Sequence, residues 1–401
     1  MELARRQSAA SAVPPDAALK AMGRNNQRAQ LGAAINTYLG LVGSGAPALY
    51  PAASVARLLG SLGTRYVATT RLLGGYTHQP ASVSAPLRAA ADVQRLLRAA
   101  SWIGDPCATL SMGTVAVGRT PSSTGVLTVV HTQREFILDL DVRDWERARP
   151  GSRALLCACD DRSVCAACWT LVVLAVAVCR AWFTDVLGLG PMLVVASGGK
   201  GAHLLWGSRA ARTLPHATRQ QWLAQCTAPA TAEAVAVAAA GTPLAHIREA
   251  ALAAWAAHAP RLLADARGRL AQWLAALLPP RAAAHWTWPA DAAARWPAWS
   301  AAAGPAEAAR AVLHLAWPVP DPVLVKNRNH LAKVPFSVHT KRPTIALPLP
   351  ADAVAAFDPA AHTPTVPQLA ARDPAAVARV QAGAAALDAW LDACGYPRGI
   401  D

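Results

Sequence analysis

Glu135-Phe136-Ile137-Leu138-Asp139-Leu140-Asp141-Val142 reads as a β-strand that ends in two acids. Side chains of a strand alternate between two faces, so Phe136, Leu138, Leu140 and Val142 are predicted to point inward. Ile137, Asp139 and Asp141 then share the opposite face. Two carboxylates placed this way repel each other without a cation, and they offer the oxygen ligands that hard divalent ions take. A bare Asp-x-Asp also suits a solvated strand end; the apolar strand ahead of this pair sets it apart. Asp144, just beyond, can serve as a helper or as a helix cap.

The pattern around this strand alternates helix and strand. Upstream, residues 1–34 read as a polar tail and a first helix, and 35–62 as two short helical pieces. A strand is expected over 64–76, a helix over 86–102 and more strands from 108 to 142. Downstream come a Cys-rich loop at 153–168 and a helix from Trp169 to Leu187. Residues 191–206 read as strand, Gly turn, strand. Residues 214–316, rich in Ala with Leu and Trp at helical spacing, read as a helical insertion. Strand and turn character returns at 317–349, and a last helix covers 376–393.

Three more constellations carry chemistry. Cys157-x-Cys159-x5-Cys165-x2-Cys168 places four thiols within twelve residues, the donor set of a structural zinc site. Ser197-Gly-Gly-Lys200-Gly-Ala-His203 lacks the Ser or Thr and the first Gly of a Walker A loop. Its tight turn can present backbone N–H groups to a phosphate, and it reads equally well as a plain hairpin. The stretch from Asp321 to His339 carries Lys326, Arg328, His330, Lys333 and His339 with no acid after Asp321, and Lys341 and Arg342 follow. A solvated basic loop would look similar, but the Val334-Pro-Phe-Ser-Val338 centre has the character of packed chain.

Composition narrows the function classes. The 401 residues are 53% hydrophobic and 15% charged, which excludes a disordered chain, a coiled-coil rod and a small disulfide scaffold. A length of 401 residues suits two domains or one with a large insertion. Net charge is +14, which favours an anionic partner. Only five of the 38 basic residues are Lys, so part of the Arg excess reflects coding bias. Four of those five, Lys200, Lys326, Lys333 and Lys341, fall within the stretches just described. The start, Met1-Glu-Leu-Ala-Arg-Arg, has no apolar core behind its charges, so no secretory leader is expected. The run Leu171–Cys179 is too short to span a bilayer and reads as a buried helix, so no membrane association is expected.

Together and in this order, the four constellations resemble the catalytic small subunit of archaeo-eukaryotic DNA primases. Glu135-Phe-Ile-Leu-Asp-Leu-Asp141 is similar to that family's metal-binding strand. The cluster ending in Cys168-Trp-Thr170 is similar to its zinc loop, and Ser197–His203 to its Ser-Gly-Arg-Arg-Gly-x-His motif. His330-Leu-Ala-Lys-Val-Pro-Phe-Ser-Val-His339 is similar to its His-Leu-Leu-Lys-x-Pro-Phe-Ser-Val-His motif, the most specific of the set. Asp321 stands nine positions before His330, where the third catalytic Asp is expected. Thr64-Arg65-Tyr66 is a looser counterpart of an Arg-Glu-Phe motif. The likeness covers roughly 36–206 and 317–370. Two departures stand out. Ala158 separates two Cys that nuclear primases often hold adjacent, and Gly199 replaces the first of two arginines.

The resemblance implies an α/β (α+β) fold: a mixed-sheet catalytic core over 35–207 and 317–370, a zinc-binding loop at 153–169, a helical insertion at 208–316 and a C-terminal helix at 371–401. It implies that Asp139, Asp141 and Asp321 hold two Mg²⁺ or Mn²⁺ ions. Arg65, Ser197, Lys200, His203, Lys333 and His339 would bind the nucleotide, and Cys157, Cys159, Cys165 and Cys168 a structural Zn²⁺. The implied activity is synthesis of short RNA primers from NTPs on single-stranded DNA. Implied partners are a large subunit with an iron–sulfur cluster and a replicative DNA polymerase, in the nucleus or at a viral replication site. A primase-polymerase of damage tolerance and a non-catalytic zinc-containing nucleic-acid-binding protein remain alternatives.

Overall fold

The apolar half of the 135–142 stretch does go inside: Phe136, Leu138 and Leu140 are fully buried and Val142 nearly so, while Asp139 and Asp141 are partly exposed. The computed structural model describes residues 15–41, 49–60, 65–72, 79–81, 87, 89–101, 105–121, 127–159, 164–226, 234, 238–327, 330–339, 342–350 and 352–398. Expectations that fall on Thr64, 73–76, Val126, Arg328 and Lys341 lie outside these residues.

The strands are β1 (Arg65–Arg71), β2 (Gln79–Ala81), β3 (Cys107–Pro121), β4 (Leu127–Gln133), β5 (Phe136–Asp141), β6 (Met192–Ala196), β7 (Gly201–Trp206), β8 (Pro320–Asp321), β9 (Ala332–Lys333) and β10 (Leu347–Leu349). They form two sheets. One has the order β2-β1-β3-β4 with β9 added to β3; the other has the order β10-β6-β7-β5-β8. The α/β class holds, but the expected single mixed sheet becomes two, and every pairing among the described residues is antiparallel.

The basic segment joins the sheets. Val334 N and Val338 N donate to the Leu110 and Ala108 carbonyls of β3 at 2.9 and 2.8 Å. Ser337 Oγ both donates to Leu110 O and accepts from Leu110 N, each at 3.0 Å. The chain then turns back through Phe336 N to Ala346 O, 2.6 Å, and enters the second sheet as β10. Phe336 makes that turn with φ +67° and its ring fully buried, a strained conformation for a bulky residue.

Helices cover the sheets. Ala166–Cys179, apolar on all sides, is almost wholly buried and packs on β7. The helix continues past Arg180 through a π-helical turn, Arg180–Val186, and so ends where the expected helix to Leu187 does, while starting three residues earlier, at Ala166. The 21 residues Ala166–Val186 match a membrane span in length and hydropathy, yet 72% of their apolar 18-residue window is buried inside the protein. Between β7 and β8 the described chain is helical: Arg209–Arg212, His216–Cys226, Pro243–Leu262, Arg269–Ala276, Pro280–Ala283, Ala292–Ala303 and Pro305–Leu315. Trp255 and Trp299 are buried among these helices, and Trp296 packs against both rings. The last helix, Pro374–Ala393, packs on β10 and β6, with Trp390 Nε1 donating to Pro191 O at 3.0 Å.

Candidate active site

Register builds the acidic site. Asp139 of β5 lies directly opposite Asp321 of β8 on one side and His203 of β7 on the other. Directly opposed residues of an antiparallel pair share a face, so the three side chains emerge together, with Asp141 two residues along. Asp321 is 180 residues beyond Asp141 in sequence, and only the β5–β8 pairing brings it here. Pro320 belongs to β8 and keeps the entry extended; Asp321 Oδ1 then accepts from the N–H of Val323, the first residue of the short helix Val323–Lys326, at 2.9 Å. Asp141 caps the helix Val142–Ala148, accepting from Arg143 N at 2.8 Å. The cap is therefore Asp141, not Asp144, which lies in the first turn and pairs with Arg147 at 2.8 Å.

The electrostatics fit a cation seat. Burial, then the charges of Asp141, Asp321 and Asp144, push the Asp139 carboxyl up to about 7, and Lys333 only partly offsets them. Burial also raises Asp144, with help from Asp141. Lys333 is brought down to about 8 by burial, against the pull of Asp139. Burial and Lys333 lower His203 to about 3, so its ring is neutral beside Asp139, with Nε2 3.7 Å from Oδ1. Crowded carboxylates with too little local positive charge are a donor set suited to Mg²⁺ or Mn²⁺.

The Gly turn between β6 and β7 borders this face. Gly201 sits opposite Asp141, and a Cβ there would overlap the Leu140 carbonyl, so only glycine permits β7 to approach β5. Gly198 has φ +70°, and a Cβ on it would lie 2.7 Å from Ile345 O. Three successive carbonyls of the turn accept from the segment packed against it: Ser197 O from Lys333 Nζ (3.4 Å), Gly198 O from Thr344 Oγ1 (2.5 Å) and Gly199 O from Arg342 Nη1 (3.2 Å). His339 Nε2 would be 3.1 Å from a Cβ at Gly199, so its ring lies against the turn. Ser197, Lys200, His203, Lys333 and His339 thus gather at the turn and its strands, beside the acids.

Arg65 is placed differently from expectation. Its side chain is 1% exposed and bidentate to Glu135, with both N–H···O distances 2.7 Å. Tyr396 donates to the same carboxylate at 2.5 Å. Burial alone would raise the Glu135 carboxyl; the charge and hydrogen bonds of Arg65, joined by Tyr396, hold it at about 2. In this structure the Arg65 guanidinium is spent inside the protein, tying β1 to the start of β5.

The four Cys come together as a separate centre. Their sulfur atoms all lie within 4.8 Å of one another. Cys157 Sγ is 3.0 Å from Cys159 Sγ, which is 3.6 Å from those of both Cys165 and Cys168; the last two are 3.8 Å apart. Tetrahedral zinc with bonds of about 2.3 Å needs sulfurs roughly 3.8 Å apart. None of the four is in a disulfide. Cys165 caps the helix Ala166–Cys179, and Cys168 lies in its first turn, accepting from Cys165 N at 3.2 Å. Arg153 Nη2 points at Cys159 Sγ, 3.2 Å away. Burial raises the Cys159 thiol, but hydrogen bonds from Cys157, Arg153 and the other Cys outweigh it and bring it to about 6, which favours the thiolate a metal takes.

Sequence reasoning missed two arginines at the site. Arg143, half exposed, is paired with Asp141 at 2.8 Å, and no pattern marks it. Arg342 bonds to the Gly turn; its only sequence signal was a place just past the His330–His339 motif.

The family described as DNA primase small subunit matches residues 138–349, slightly more than half of the chain and a span that includes all three Asp, the Gly turn and Lys333. A DNA primase small subunit from Caenorhabditis elegans is 32% identical over 82 residues, which cover 20% of this chain and 18% of that relative's length.

Proposed function

The chain belongs to the DNA primase small subunit family, and from that premise we propose that it synthesises short RNA primers from nucleoside triphosphates on a single-stranded DNA template. The observation that carries this reading is the Asp139–Asp321 register across β5 and β8, with Asp141 on the same face and the Gly turn alongside.

Asp139, Asp141 and Asp321 would hold two divalent ions, which supply Lewis-acid activation of a primer 3′-hydroxyl and neutralise charge on the departing pyrophosphate. The chain's own residues do the positioning. Lys200 and Lys333 bring positive charge to the triphosphate, and Ser197 and His339 offer a hydroxyl and an imidazole from the same turn. His203, neutral between Val195 and Asp139, contributes hydrogen bonding and no charge. The four-Cys centre would hold zinc apart from the chemistry and tie Cys157 and Cys159 to the start of the helix Ala166–Cys179. The excess of Arg would hold template phosphates with little regard for sequence.

Residues 35–207 and 317–370 would form the catalytic unit, with 208–316 as its insertion. The large iron–sulfur subunit, a replicative polymerase and a nuclear or viral replication site belong to the same proposal. The test is synthesis from labelled ATP on unprimed poly-dT, with Mg²⁺ or Mn²⁺. Short RNA products are expected. Products only from dNTPs would favour the damage-tolerance polymerase, and no products with either would favour a non-catalytic binding protein.

A further inference from the structure

We infer that Arg342 is a triphosphate-binding residue of this site, supplying on the Gly turn a positive charge that Gly199 does not carry. The inference rests on the nucleotide-binding reading above and extends it to a residue outside the motifs.

Charge balance raises the question. A triphosphate brings several negative charges, and the turn itself offers one cation, Lys200. Lys333 also reaches the turn, but it faces Asp139, so part of its field is spent on the acids. The turn cannot easily take a second cation of its own. A Cβ at Gly199 would already be 3.1 Å from His339 Nε2 and 3.3 Å from Ser197 Oγ, and a longer side chain would press on both. Bringing His339 close and placing a long cation at 199 are competing uses of the same space.

Arg342 resolves that competition from the neighbouring segment. Its Nη1 donates to Gly199 O at 3.2 Å, and its own N–H bonds to His339 O at 3.1 Å. Its guanidinium is therefore anchored at the turn, next to His339. Five N–H donors are available on a guanidinium, and the carbonyl takes one. Among the described residues no other bond to the guanidinium is seen, and its planar fork is the geometry that matches phosphate oxygens in pairs. Thr344 holds the adjacent Gly198 carbonyl, so the turn has a neutral staple besides Arg342. That makes a binding role separable from a purely structural one.

The experiment measures ATP and AMP binding without template in Mg²⁺, for the full chain and for R342Q, R342K and T344V. Gln can still donate to the Gly199 carbonyl but carries no charge. R342Q should weaken ATP at least tenfold, the loss expected for one charge-assisted phosphate contact, and AMP less than twofold. R342K should recover part of the ATP affinity, and T344V should bind ATP like the unaltered chain. The inference is overturned if R342Q binds ATP normally, whatever its thermal midpoint, if ATP and AMP weaken equally, or if T344V loses as much as R342Q. If the unaltered chain fails to bind ATP, the nucleotide-site reading itself is wrong, an outcome distinct from failure at Arg342 alone.

Discussion

Replacing Glu135 with Gln should destabilise the protein by about 3 kcal/mol while sparing the acidic face. Glu135 is fully buried, bidentate to Arg65 and bonded by Tyr396. Moving its carboxyl from the usual 4.5 to about 2 corresponds to about 3 kcal/mol in favour of the charged form, at 1.36 kcal/mol per pH unit. Breaking a buried pair from one side costs a similar amount, about 3 to 5 kcal/mol, because the partner charge is stranded. In a chain of this size that lowers the thermal midpoint by roughly 4 to 6 °C. The pH dependence has a definite sign. A carboxyl depressed in the folded state contributes stability above its unfolded value near 4.5, and that stability is lost as pH falls toward 2. Chemical denaturation of both proteins should therefore show a gap at pH 7 that narrows from about pH 4.5 downward. Replacing both partners with apolar residues, Arg65→Met with Glu135→Leu, should recover most of the loss. A Glu135→Gln gap below about 1 kcal/mol at pH 7, or one that acid does not narrow, would refute the reasoning and return Arg65 to the candidates for nucleotide binding.

Other consequences follow from the same geometry. Freshly purified protein should contain about one zinc per chain, and Cys165→Ser should reduce that content and the yield; metal analysis finding no zinc would remove the four-Cys centre. Gly201→Ala should cost at least about 2 kcal/mol in denaturant, since its Cβ would overlap the Leu140 carbonyl; a neutral result would mean β5 and β7 are not this close. Asp139 is raised to about 7, so protons compete with metal there, and Mn²⁺ affinity should fall as pH drops through 7. For the same reason Asp139→Asn should raise the metal-free thermal midpoint at pH 8, because it removes a carboxylate whose charge is penalised in the fold.

Much of the site could be read locally because alternation and tight turns are local properties. Phe136, Leu138 and Leu140 go inside while Asp139 and Asp141 stay partly exposed, as alternation predicts, although Ile137 is buried too and Val142 starts a helix; the Gly turn at 197–201 is a hairpin with Asp141 opposite it. Asp321 was legible only through its fixed distance from the His330 motif, since nothing near it announces a pairing with β5. Long-range partners explain what was missed. Arg65 looks like an available cation until β5 brings Glu135 against it from 70 positions away. Two sheets could not be told from one, because strand patterns do not state their neighbours. The helix after the Cys loop runs through Arg180 toward Leu187 as expected, because Arg180 lies exposed on the surface and interrupts nothing. The helix Pro374–Ala393 reads as an appendage, yet Gly383 lets it close on Leu347 and Pro348 of β10.

Three carboxylates from distant parts of the chain would form one metal seat for nucleotidyl transfer, and Asp321→Asn separates that arrangement from a merely structural one. The variant keeps the shape and the hydrogen bond from Val323 N while removing one charge. Synthesis from labelled ATP on poly-dT, run beside Mn²⁺ titration and a thermal melt, gives the answer. The predicted result is weaker Mn²⁺ binding, loss of synthesis by at least about a hundredfold, consistent with several kcal/mol of lost charge stabilisation, and an unchanged or higher melting midpoint. Synthesis at the rate of the unaltered chain, with Mn²⁺ bound as before, would contradict the account.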